Sequence, residues 1–164
     1  MVHLALGLKH ALPEIIAQAL SYAATSHQDT TFLLDEREIL YNNGYFTAHE
    51  ILVNQVKVDP RFGPFSPKLT YRKILKSASE LLHTYVYLWK LPSNIEDALN
   101  ELRVVAACLL SSSADTGHSG LDIPGNLLKS INAMDILYPN NTCPTLLVRV
   151  QFLNVICSYI LQDK

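Results

Sequence analysis

Charged residues are scarce in this chain of 164 residues. They make up 17% of the sequence, against about 25% in an average soluble domain. The formal net charge is −2, because 13 Lys and Arg stand against 15 Asp and Glu. This balance excludes a protein that binds nucleic acid through its overall charge. The apolar fraction of 49% excludes intrinsic disorder, because disordered chains combine low hydrophobicity with high net charge.

Cysteine and targeting signals are also sparse. Cys108, Cys143 and Cys157 cannot all pair within one chain and form no C-x-x-C motif, so we expect buried free thiols in a reducing compartment. The N-terminal residues contain no basic segment and no apolar run of signal-peptide length. The most apolar stretch, 146–161, contains Arg149 and is shorter than the roughly 20 residues that span a bilayer. We therefore predict a cytoplasmic or nuclear protein without a membrane span.

The sequence is rich in helical patterns. Leu, Ala and Glu are strong helix formers, and apolar residues recur every three or four positions between proline and glycine breaks. The segments 47–50 and 93–96 fit the capping box that begins a helix. We predict an all-α fold in which residues 1–164 form a single domain, a bundle of about six or seven helices. The main internal breaks are expected at the loops 59–68 and 111–124.

One predicted helix stands out as a candidate for the centre of the bundle. It covers about residues 94–112, and beyond Arg103 it is apolar on all sides. A helix without a polar face is normally surrounded by protein. We therefore expect this helix to be the central one.

The last 61 residues contain only seven of the 28 charged side chains. The final helix either threads the middle of the bundle or turns part of its surface to a partner, since the cores of interfaces are depleted in charge. A domain of this size surrounds one central helix more easily than two, which slightly favours an interface. The candidate partner interface consists of Val148, Phe152, Val155, Ile156 and Tyr159.

Basic residues concentrate between positions 57 and 76, where six of them stand against Asp59 alone. Such a segment can bind single-stranded nucleic acid by phosphate neutralisation and base stacking, or it can dock an acidic peptide. The alternative is a solvated helix start whose two phenylalanines anchor a loop to the core. The candidate basic and aromatic patch consists of Lys57, Arg61, Phe62, Phe65, Lys68, Arg72, Lys73 and Lys76.

Motifs of known chemistry are missing. The chain contains no H-E-x-x-H, no G-x-S-x-G, no P-loop and no G-x-G-x-x-G. His118 lies in the segment 115–120, whose Asp, Ser and Gly are typical of a flexible loop. We therefore predict that the protein is not an enzyme and has no catalytic, cofactor-binding or metal-binding residues.

These observations favour a non-enzymatic protein–protein interaction or scaffold module, a subunit of a homo-oligomer or larger complex that uses its C-terminal helices. A charge at Phe152 is then expected to dissolve the assembly without unfolding the domain. One alternative is a groove-type binder of amphipathic helices such as a Bcl-2-like regulator, although the Asn-Trp-Gly-Arg signature is absent. Another is an RNA- or nucleoprotein-associated factor that uses the segment 57–76. A protein partner, self or other, is expected before a nucleic acid.

Overall fold

The structure is a computed structural model that describes residues 1–26, 44–62, 70–113 and 123–162. Within these ranges the chain forms eight α-helices and no strand, which confirms the all-α fold. The helices are α1 (Val2–Lys9), α2 (Pro13–Ser26), α3 (Ala48–Glu50), α4 (Tyr71–Ser77), α5 (Ser79–Leu88), α6 (Ile95–Ser113), α7 (Ile123–Leu137) and α8 (Pro144–Leu161). Of the predicted breaks, 63–69 and 114–122 lie outside the described residues.

Helix α3 begins at the predicted capping box. The backbone N–H of Glu50 donates to the Thr47 hydroxyl at 3.2 Å, and the backbone N–H of Thr47 donates to the Glu50 carboxylate at 2.8 Å. Beyond Glu50 the chain continues as a π-helical segment, Ile51–Val56, and then forms a 3₁₀ turn, Pro60–Phe62. The side-chain oxygens of the cap satisfy backbone donors that a helix start leaves without partners.

Helices α4 and α5 are separated only by a break at Ala78, whose φ of −123° lies outside the helical region. The Ser77 hydroxyl donates to the carbonyl oxygen of Lys73 at 2.8 Å. Serine side chains that bond to backbone carbonyls in this way often bend helices. The break gives α5 its own first turn at Ser79, where the candidate site described below begins.

The C-terminal end of α5 is fixed against the segment before α3. The backbone N–H of Lys90 donates to the carbonyl of Phe46 at 2.8 Å, and Phe46 N–H donates to Leu88 at 3.2 Å. A Cβ at Gly44 would collide with the carbonyl group of Leu88, so this close approach requires glycine. The carboxylate of Glu101 accepts the indole N–H of Trp89 at 3.3 Å, which ties the same region to α6.

The prediction that helix 94–112 is central is wrong. The helix is present as α6, but only one face of it is buried, and Val104 is 64% exposed. The other apolar residues of its outer face, Ala107, Cys108 and Leu110, are exposed as well. More than half of the accessible surface of a folded protein is apolar, so exposed apolar residues on the outer face of a helix are ordinary. An apolar pattern on every side therefore does not prove that a helix is surrounded.

Helix α8 occupies the centre instead. Ten of its residues are buried, on all sides of the helix, and it packs against α4, α5, α6 and α7. Its length and composition alone would allow it to cross a membrane, but 61% of it is buried inside the protein. A core helix of a globular protein has these same properties.

Candidate functional site

A shallow cavity of about 360 Å³, largely open to solvent, lies beside the first two turns of α5. Its described lining consists of Ser79, Glu80, His83 and Thr84. Positions three and four apart are neighbours on a helix surface, so these residues share one face of α5. The volume of the cavity falls within the range of small-ligand pockets, roughly 300–1,000 Å³, but its wide mouth encloses a ligand far less than such pockets do. A carboxylate, an imidazole and two hydroxyls can orient a ligand and exchange protons with it.

The imidazole of His83 is half-buried at this cavity and packs against Tyr87, one helical turn further along α5. The centroids of the two rings are 4.5 Å apart and their planes are inclined by 44°. Aromatic side chains at such a distance attract each other through their edges and faces. The contact restricts the rotation of His83 and holds its ring beside the cavity.

Arg149 of α8 lies behind Tyr87 and is only 1% exposed. Its guanidinium carbon is 5.3 Å from the centroid of the Tyr87 ring, which is a cation–π distance. Its Nη1 donates to the carbonyl oxygen of Val86 at 2.5 Å. Burial lowers the pKa of Arg149, and the neighbouring Tyr87 opposes that change. His83, Tyr87 and Arg149 thus form a row that runs from the cavity into the core.

A second polar row connects α8 to α4 and α7. The amide oxygen of Gln151 accepts from Ser130 at 3.2 Å and from Asn154 at 3.4 Å, and Tyr71 donates to the amide oxygen of Asn154. Burial raises the pKa of Tyr71, and it raises the pKa of Cys157 to about 12. Both groups therefore stay protonated at neutral pH. This row holds three helices together and offers no reactive group.

A third polar cluster surrounds the buried carboxylate of Asp59. It accepts hydrogen bonds from Nε and Nη2 of Arg61 at 3.0 and 2.7 Å, and from the hydroxyl of Tyr85 at 2.6 Å. The Arg61 hydrogen bonds, aided by that of Tyr85, hold the pKa of Asp59 well below its usual range. The cluster fixes the turn after the π-helical segment to α5.

An Asp59→Asn substitution is expected to lower the free energy of unfolding by about 2 kcal/mol at neutral pH, because hydrogen bonds to charged groups contribute about 1.5–3 kcal/mol. Folding lowers the pKa of Asp59, so this stabilisation is complete above the unfolded pKa of about 4 and is lost as the pH falls below it. Urea unfolding of the wild type and of Asp59→Asn at about pH 7 and about pH 3 measures the effect.

The difference in the free energy of unfolding between the wild type and Asp59→Asn should be smaller at about pH 3 than at about pH 7. Asp97→Asn on the exposed first turn of α6 is the matched control, and it should change stability little at either pH. A difference for Asp59→Asn that is the same at both pH values would contradict the assignment.

The structure separates the residues of the predicted basic and aromatic patch. Phe62 is fully buried and packs on Tyr85 with ring centroids 5.8 Å apart, so it anchors its turn to the core and cannot stack on a base. Arg61 is paired with Asp59. Phe65 and Lys68 lie outside the described residues. The remaining members are exposed, one after the π-helical segment and three on α4: Lys57, Arg72, Lys73 and Lys76.

The predicted partner interface does not form a surface. Four of its residues, Val148, Phe152, Val155 and Ile156, have no exposed area, and Tyr159 is half-buried. The reason is the central position of α8, which is enclosed by four other helices. Helix α8 lacks a polar face because it is buried inside the chain. This favours the interpretation in which the final helix threads the middle of the bundle over the one in which it faces a partner.

Fold and site together define an all-α protein with a shallow polar cavity on one helix and a basic, aromatic row behind it. The chain belongs to the Questin oxidase-like family, whose model matches residues 1–164. No curated protein and no solved structure matches the chain.

Membership of this family corrects two sequence-based predictions. A match to an oxidase-type family over the whole chain overturns both the non-enzymatic scaffold and the statement that the protein is not an enzyme. Neither the groove binder nor the RNA-associated factor is better supported. The absence of the short motifs sought in the sequence therefore did not exclude membership of an oxidase-type family.

Neither His83 nor Arg149 was predicted from the sequence to be a site residue. The only signal at His83 is its position on a polar helix face, and most surface histidines lie on such a face. Arg149 carried a usable signal, because a charge in the middle of an apolar helix must find partners when it is buried. Among the described residues no group of three or more His, Cys, Asp and Glu side chains could hold a metal ion. His118, which the sequence places in a loop, lies outside those residues.

Proposed function

We propose that this protein is an enzyme that oxidises a small organic molecule. The observation that carries the proposal is the match of the Questin oxidase-like family to the entire chain, residues 1–164. In an oxidase reaction the organic substrate loses electrons and dioxygen accepts them. The protein's task in such a reaction is to bind and orient the substrate and to move its protons.

The cavity on α5 is the site that we assign to the substrate. Its volume of about 360 Å³ suits a small molecule, and its lining combines His83 and Glu80 with the hydroxyl of Ser79. Histidine is the side chain most often used to transfer protons in catalysis. His83 would exchange a proton with the substrate, while the carboxylate and the hydroxyl bind its polar groups.

Dioxygen uptake and substrate loss measure the activity directly. The purified full chain is incubated with questin, the compound in the family's name, in separate arms with a nicotinamide cofactor, a flavin or iron. We expect uptake of dioxygen together with loss of questin in at least one arm. If neither occurs in any arm, the proposed oxidation of this compound is wrong.

A His83→Asn variant tests the assigned site. Because positioned acid–base groups contribute about 10²- to 10⁴-fold to a rate, we expect turnover to fall by about a hundredfold or more. The matched control is His49→Asn on α3, an exposed histidine that does not line the cavity. If both variants keep full turnover, the substrate site does not lie at the cavity. The proposed oxidase activity itself is not affected by that result.

A further inference from the structure

One buried amide nitrogen on the central helix lacks a hydrogen-bond acceptor. Gln151 of α8 is 0% exposed. Its amide oxygen accepts from Ser130 of α7 and from Asn154, but its Nε2 donates to no group in the described part of the chain. A buried donor without an acceptor costs the free energy of its lost hydration. For that reason buried polar groups almost always bond to the protein or to an ordered water.

The neighbours of Gln151 hold its amide in this orientation. Tyr71 donates its hydroxyl to the amide oxygen of Asn154, so the amide nitrogen of Asn154 is the end that faces Gln151. Turning the Gln151 amide over would place one N–H group against another, and neither of them can accept. Gln151 therefore accepts through its oxygen, and Nε2 is the atom that needs a further partner.

Apolar side chains flank Gln151 on both helices. Val148 and Val155, three and four positions away on α8, have no exposed area. Ile131, next to Ser130 on α7, has none either. Bulk solvent does not reach Nε2 through these side chains. An acceptor for this donor therefore has to be enclosed between the helices when the protein folds.

The polar groups at this point define the chemistry of the enclosed molecule. Nε2 requires a hydrogen-bond acceptor, and the hydroxyl oxygen of Ser130, which donates its proton to Gln151, can accept a hydrogen bond in return. The hydrogen bonds of Gln151 involve no charged side chain, so a neutral molecule fits. Water is the smallest neutral molecule that both accepts and donates. Globular proteins enclose about one water per 27 residues, each bonded to two to four polar groups.

We propose that α7 and α8 enclose a single water molecule, which accepts a hydrogen bond from Nε2 of Gln151 and donates one to the hydroxyl oxygen of Ser130. This water completes the hydrogen bonding of the polar row and joins the central helix to α7. It exchanges with solvent only when the two helices separate, so it stays bound far longer than surface water. The proposal does not depend on the oxidase activity or on the α5 cavity, since neither enters the argument.

Isotope-edited NOE spectroscopy of the full chain detects this water at its donor. We expect cross-peaks between the side-chain amide protons of Gln151 and water, with the signs of a water that stays bound for longer than the protein takes to tumble. The amide signal of Gln151 is assigned by its disappearance in Gln151→Met.

Relaxation dispersion of the water oxygen nucleus measures the number of long-lived waters, and hydroxyl protons do not contribute to it. Gln151→Met keeps an unbranched side chain without an N–H group and should lose the amplitude of about one such water. Ser130→Ala removes the other contact and should give the same loss. Gln18→Met, the same substitution at an exposed position of α2, is the matched control and should keep the wild-type amplitude.

Two results would overturn the proposal. The first is the absence of a bound-water cross-peak at the Gln151 amide of the wild type, a measurement that needs no variant. The second is a wild-type dispersion amplitude in folded Gln151→Met or in folded Ser130→Ala. If neither variant folds, the wild-type spectrum decides alone.

Discussion

A Phe152→Glu variant is expected to lose the native fold. Phe152 has no exposed area, lies on the central helix α8, and packs on Trp89 with ring centroids 4.7 Å apart. Removing a buried phenylalanine side chain costs about 3–5 kcal/mol, and burying an unpaired carboxylate adds several more. The sum approaches the whole stability of a typical domain, about 5–15 kcal/mol.

Near-ultraviolet circular dichroism and urea unfolding measure this effect. Val104→Glu is the matched control, because it introduces the same charge on a residue that is 64% exposed, and it should change stability by about 0.5 kcal/mol or less. Phe152→Leu, which keeps an apolar side chain, should remain folded with an intermediate loss. If Phe152→Glu folded with normal stability and only its mass in solution changed, Phe152 would belong to a partner interface, as the sequence suggested.

Local signals in the sequence predicted much of the fold. The capping box at Thr47 is present with both of its hydrogen bonds, and the helix expected over about 94–112 is found at Ile95–Ser113. Such features depend on neighbouring residues and so can be recognised without knowing how the helices pack. The fold class followed from the same helical patterns.

The packing order of the helices could not be predicted in this way. The sequence pattern of α6 is apolar on most sides, yet Val104 and Leu110 face solvent. The pattern of α8 includes Arg149 and Gln151, yet both are buried. Which helix is enclosed depends on contacts between distant segments, and periodicity does not report those contacts.

The local shortage of charge shows the same limit. Seven charges in the last 61 residues suggested an exposed interface, but the enclosure of α8 accounts for part of the shortage. Residues 1–26 contain only two charges, and seven of the thirteen large apolar residues that are exposed in the described ranges lie among them. Because the charges were counted over the first 103 residues as a whole, the count did not reveal that residues 1–26 contain so few of them.

The candidate site needed both the structure and the family match. The cavity residues of α5 occur at ordinary helical spacing, and Tyr87 meets Arg149 across 62 positions of the chain only because α5 packs on α8. The oxidase relationship comes from the family match, which extends over residues 1–164. A missing motif is therefore weak evidence against enzymatic activity.

An Arg149→Ala variant is expected to lower the free energy of unfolding by about 3–5 kcal/mol. The substitution empties a site that is only 1% exposed and leaves the carbonyl of Val86 without its guanidinium donor. It also removes the cation over the ring of Tyr87. Urea unfolding monitored by circular dichroism measures the loss, and Arg72→Ala on the exposed side of α4 should change stability by about 0.5 kcal/mol or less.

Arg149→Met separates the role of the charge from that of the volume. Methionine adapts to irregular space in a core, so this variant should recover about half of the stability that Arg149→Ala loses. The remaining loss then measures the hydrogen bond to Val86 and the cation–π contact. If Arg149→Ala and Arg149→Met were both as stable as the wild type, the guanidinium would not support the row that runs from Tyr87 to His83. In that case Tyr87 alone would hold the imidazole beside the cavity, and turnover in both variants should equal that of the wild type.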